Sequence, residues 1–145
     1  MSQPQPPPTH VLIVAHRTAP TPRLLDAVGE RAARGPCAFA LLVPRPYWDP
    51  ETNEAAETLE LALPLLDRAA GSHVEGFVGS TDPFEAVQDL FTRERFDEVI
   101  VSMLPHRISR WLHLDLPHRI GRLGVPVTVV AAEQAERSVT SGDAG

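Results

Sequence analysis

The sequence predicts a three-layer α/β domain, a doubly wound five-stranded parallel sheet covered by helices on both faces. Two observations carry this. Short apolar or β-branched runs alternate with longer amphipathic runs along residues 10–132, the pattern of βαβ units rather than hairpins. Two of the short runs, 10–15 (HVLIVA) and 98–102 (EVIVS), are apolar almost throughout, as expected of strands buried on both faces. With 145 residues, 43% of them hydrophobic and 22% charged, the chain suits a single globular core.

The elements follow in order. Residues 1–9 (MSQPQPPPT) lack a hydrophobic pattern and read as a flexible tail, as do residues 133–145, which leaves 10–132 as the folded domain. After the first strand and the loop HRTAPTP, a helix is expected over 22–34, with Thr21 as cap, Pro22 at the first helical position, and Leu24, Leu25, Val28 and Ala32 on one face. A second strand over 37–43 leads through the proline-rich PRPYWDP to a helix over 51–70, which Pro64 is expected to kink. A third strand spans 73–78. Asp82 and Pro83 are expected to cap and start a helix at 84–95 that buries Phe84, Val87 and Phe91. The fourth strand is 98–102, and the fifth lies in VPVTVVAA, 125–132. Right-handed crossovers place ligand sites at the carboxyl ends of the strands, where strand order reverses, so the loops after strands one and four are the ones to inspect.

Charge and composition exclude several function classes. A formal net charge of −6 repels a phosphate backbone, so no nucleic-acid partner is expected. No run approaches the roughly 20 apolar residues of a bilayer span, and no basic-then-apolar leader opens the sequence, which predicts a cytoplasmic protein without a membrane partner. Cys37 is the single cysteine and reads as a small core residue. Among the histidines, His106, His113 and His118 lack the spacing of three or four that puts two ligands on one helical face, so no metal site is expected.

The segment FDEVIVS, a basic loop, the SRWL stretch and the ending LGVPVTVV resemble the C-terminal half of the universal stress proteins, and VLIVAHRTAPTPRLLDAV resembles their first strand and helix. The resemblance covers nearly all of residues 10–132. It implies a flavodoxin-like topology of the adenine-nucleotide-hydrolase type, a role in the stress response, and a homodimer. ATP-binding members of that family close the first strand with an acid and wrap the phosphates, after the fourth strand, with Gly-x-x-Gly, nine residues, then Gly-Ser or Gly-Thr. This chain has His16 near the position of the acid, Ser102 near the first glycine, and no glycine between Thr81 and Ile120. Backbone amides there lack the glycines that let them approach phosphate oxygens, so ATP held by the usual family motif is not expected, and no other cofactor is indicated.

Side chains remain as donors. His16, Arg17 and Thr18 after the first strand, and Ser102, His106, Arg107, Ser109 and Arg110 after the fourth, form the candidate ligand-binding set, with arginine forks suited to phosphate or carboxylate oxygens. The expected ligand is a small anion or a nucleotide held in an atypical way. The alternative is that these arginines are a solvated helix face pairing with acids of a partner subunit, which makes the chain a protein–protein interaction or dimerisation module; Trp111 and its leucine neighbours fit core packing or such a contact. No Gly-x-Ser-x-Gly elbow, Walker-type loop or Gly-x-Gly-x-x-Gly fingerprint occurs, so no catalytic residue is assigned. A nucleotide-acting hydrolase or transferase stays as a third reading.

Overall fold

A computed structural model describes residues 7–103, 111 and 114–131. Five parallel strands lie in the order β3-β2-β1-β4-β5. Along the chain, β1 (Thr9–Val14), α1 (Pro22–Ala33), β2 (Cys37–Pro44), α2 (Glu54–Ala70), β3 (Glu75–Gly79), α3 (Pro83–Arg93), β4 (Glu98–Met103), α4 (Leu116–Gly121) and β5 (Val127–Ala131) alternate as the sequence predicts. Boundaries shift by a few residues. Thr9, expected in the tail, begins β1 because its amide donates to the Pro36 carbonyl (3.0 Å) and it pairs with Cys37.

The pleat of β1 sorts its side chains into two cores. Val11 and Ile13 pack with Leu24 and Val28 of α1 and with Ala55, Ala62 and Leu66 of α2. Leu12 and Val14 pack on the opposite face with Ala86, Val87 and Leu90 of α3 and with Leu116 and Ile120 of α4. Both sets are fully or almost fully buried, which is why this strand needs no polar alternation. Trp111 packs at the edge of the second core, as do Phe84 and Phe91.

Local chemistry starts and stops the helices. The Asp82 carboxylate accepts from the amides of Phe84 (2.9 Å) and Glu85 (3.2 Å), the expected cap, with Pro83 at the first helical position. Thr21 precedes α1 but makes no capping bond. Its hydroxyl donates instead to the Thr18 carbonyl (2.7 Å), so the expected cap is a loop brace. The helix α2 starts at Glu54, later than expected, runs through Pro64, and ends where Gly71 turns into the left-handed region at φ +73°. At Gly79 a Cβ would lie 2.5 Å from Ala86 Cβ and 2.9 Å from Leu42 Cδ1, so only glycine allows α3 this close to β3.

One ion pair anchors α1 to the sheet. The Arg31 guanidinium meets Glu98 at the start of β4 through Nε (3.0 and 3.2 Å) and a terminal nitrogen (2.7 Å). This pairing holds the Glu98 carboxyl below its ordinary value. Cys37 is partly buried next to Arg31, and burial pushes its thiol up. No described helix is long and apolar enough to cross a membrane.

Candidate functional site

Strand order reverses between β1 and β4, so the carboxyl ends of these two strands lie side by side at one edge of the sheet. The chain after β1 makes a compact turn in which the Ala19 amide donates to the His16 carbonyl (3.1 Å) and the Thr21 amide to the Thr18 carbonyl (3.1 Å). Two buried hydroxyls stitch that turn to β4. Ser102 Oγ donates to Thr18 Oγ1 (2.9 Å), and Thr18 Oγ1 donates to the Ser102 carbonyl (3.2 Å). Thr18 and Ser102, both in the sequence-derived set, are 4% and 0% exposed, so their hydroxyls face each other rather than solvent.

The turn projects His16 and Arg17 toward the start of α2. Glu54, the first residue of that helix, offers one carboxylate oxygen to Arg17 at 3.5 Å and the other to His16 Nε2 at 3.6 Å. Trp48, on the loop between β2 and α2, sets its ring edgewise to His16 (centroids 5.8 Å apart) and lies under the Arg17 guanidinium (5.1 Å). Tyr47 stands perpendicular to Trp48 at 5.1 Å, and both are about half exposed. Trp111 also meets the imidazole edgewise, with centroids 6.5 Å apart. The sequence holds two tryptophans, and both flank His16.

Burial pushes the His16 imidazole below its ordinary value; Glu54 opposes this and Arg17 adds to it. The neutral form of the imidazole is therefore favoured at pH 7. Its Nε2 and the facing Glu54 Oε2 are buried without hydrogen-bond partners. The exposed Arg17 guanidinium and the half-exposed Trp48 ring offer a cation and a planar surface to a ligand, while His16 Nε2 and Glu54 Oε2 face each other beneath them.

Of the sequence-derived set, the structure brings His16 and Arg17 into this cluster and puts Thr18 and Ser102 beneath the turn. His106, Arg107, Ser109 and Arg110 lie outside the described residues. Sequence reasoning missed Glu54 and Trp48. The signal for Trp48 was its place in a loop at a strand's carboxyl end. Glu54 had the weaker signal of an acid in the first turn of a helix, the usual sign of favourable dipole pairing and nothing more.

The geometry defines a doubly wound α/β protein with a polar, aromatic-lined site at its topological switch point. No protein-family model matches the chain, and a search of curated proteins finds no match. Solved structures do: a universal stress protein in complex with cAMP superimposes with a TM-score of 0.64 at 16% identity, over 86% of this chain and 98% of that one. A universal stress protein from Archaeoglobus fulgidus gives a TM-score of 0.62 at 16% identity, over 84% and 93%. The chain has the universal stress protein fold.

Proposed function

We propose that this chain is a universal-stress-like, non-enzymatic protein of the cytoplasm that binds a nucleotide at the carboxyl edge of its sheet, with side chains in place of a glycine-lined phosphate cradle. The carrying observation is the cluster of Arg17, His16, Trp48 and Trp111 at the switch point. A base stacked on the face of Trp48 opposite Arg17 gains about 1–3 kcal/mol, and the guanidinium over the other face matches a phosphate. Thr18 and Ser102 serve by fixing the turn that carries Arg17. That one similar structure is a cAMP complex supports the ligand class. The test is a fluorescence titration with cAMP, AMP and ATP, because both indoles report on the site. Saturable quenching by nucleotides, weakened by Arg17→Ala, is the expected result. No spectral change and no thermal stabilisation at millimolar nucleotide would refute the reading, since a ligand at 100 times its Kd adds about 2.7 kcal/mol to stability.

One observation favours a second reading, a homodimer without a ligand. β5 is an edge strand paired only to β4, and Val129 on it is 49% exposed. Edge pairing with a second copy covers such a strand. Light scattering on Val129→Lys against the parent chain separates this reading from the first: a dimer that dissociates on substitution supports it, and a monomeric parent chain removes it.

A further inference from the structure

The Glu54 carboxylate has two suitors and satisfies neither fully. Arg17 lies at 3.5 Å and is the most exposed of the three, its side chain 58% accessible, whereas His16 and Glu54 are 19% and 29% accessible. An anion arriving at Arg17 competes with Glu54 for the guanidinium. If Arg17 turns outward, Glu54 keeps only a neutral imidazole at 3.6 Å, and its buried Oε2 is left charged without a hydrogen bond. Removing one partner from a partly buried ion pair is costly because the other charge stays behind. A proton on His16 Nε2 removes that penalty by giving the carboxylate a cationic donor.

We propose that anion binding at Arg17 is coupled to uptake of one solvent proton by His16, with Glu54 handed over from the guanidinium to the imidazolium. This rests on the nucleotide-binding reading above. Among the described residues, the charged groups acting on His16 are Glu54 at the start of α2 and Arg17 on its own turn; the β2–α2 loop contributes the uncharged Trp48, and Trp111 is the other ring in contact. In the free protein the cluster is neutral overall, one guanidinium against one carboxylate. After proton uptake it carries one net positive charge, matched to a monoanion. The same residues therefore make a site that favours anions as pH falls.

The sign follows from linkage. The ligand raises the affinity of His16 for a proton by freeing Glu54 for it, so the proton raises the affinity for the ligand by the same factor. Between the His16 pKa of the free protein and the higher one of the complex, affinity rises about tenfold for each unit of falling pH, and it is flat outside that window.

The probe is cAMP, whose phosphodiester holds one negative charge throughout, with adenosine as the uncharged control. Calorimetric titrations run from pH 5.5 to 8.0 in two buffers of different ionisation enthalpy, on the parent chain, His16→Gln and Glu54→Gln, each checked for native circular dichroism. The expected result is tighter cAMP binding at low pH with uptake approaching one proton, and a flat profile for adenosine. Glu54→Gln frees Arg17 at every pH, so it binds cAMP at pH 8.0 about as tightly as the parent does at low pH. His16→Gln stays weak and pH-independent. Binding of cAMP with no proton uptake, or with the parent's pH dependence retained in His16→Gln, overturns the coupling and leaves the nucleotide reading standing. Absence of binding by cAMP and adenosine alike at every pH overturns both.

Discussion

Replacing Arg31 by methionine tests how much of the fold depends on a single charged tether. Methionine keeps an unbranched stem of similar reach and loses the guanidinium, which makes three contacts of 2.7–3.2 Å with Glu98. Both partners are shielded, at 14% and 27% exposure, so the pair is not the surface kind that contributes nothing measurable. Hydrogen bonds to charged groups contribute about 1.5–3 kcal/mol, and the Glu98 carboxylate left behind is still partly accessible to water, so the expected loss at pH 7 is about 2 kcal/mol. Urea unfolding at pH 7 and again near pH 3 is the assay. Glu98 has a folded pKa below its unfolded value of about 4.3, so its contribution is fully present above pH 4.3 and fades as pH falls toward the folded value. The difference between Arg31→Met and the parent chain must therefore shrink on acidification. Loss of under 0.5 kcal/mol at pH 7, or a loss that is the same at pH 3, would show that the guanidinium acts through packing and not through charge.

Two further outcomes are expected. Asp82→Ala removes the acceptor of two amides at the start of α3 and should cost about 1 kcal/mol in urea unfolding, with Asp82→Asn recovering most of it. Gly79→Ala puts a methyl 2.5 Å from Ala86 Cβ, and the resulting displacement of α3 should cost about 1–3 kcal/mol; an unchanged midpoint would mean that α3 shifts freely.

The sheet was legible because its central strands are buried on both faces and carry no polar punctuation, as Leu12 and Ile13 show by packing into different cores. The reversal of strand order at β1 and β4 was expected of a doubly wound sheet and pointed to the edge that carries the candidate site. What sequence could not supply was adjacency across that edge. His16 stands just after β1, and no acid lies near it in the sequence. α2 brings Glu54 to it through the packing of Ala55, Ala62 and Leu66 on the first core. Thr21 illustrates the opposite failure: a correct residue type for a cap, at the correct position, whose hydroxyl found a better-placed carbonyl in its own turn.

The bond between Thr18 and Ser102 joins residues 84 positions apart, and the strands beneath it meet over a similar span. At about 5–20 residues per second, a ribosome needs roughly 4–17 s to deliver β4 after β1. Through that interval β1 can pair with β2 on one side only, and its other apolar margin stands open as a template for any extended chain. The innermost strand of the finished domain is thus the one left longest half-covered during its birth, and residues 9–14 are where a nascent-chain partner has most to shield.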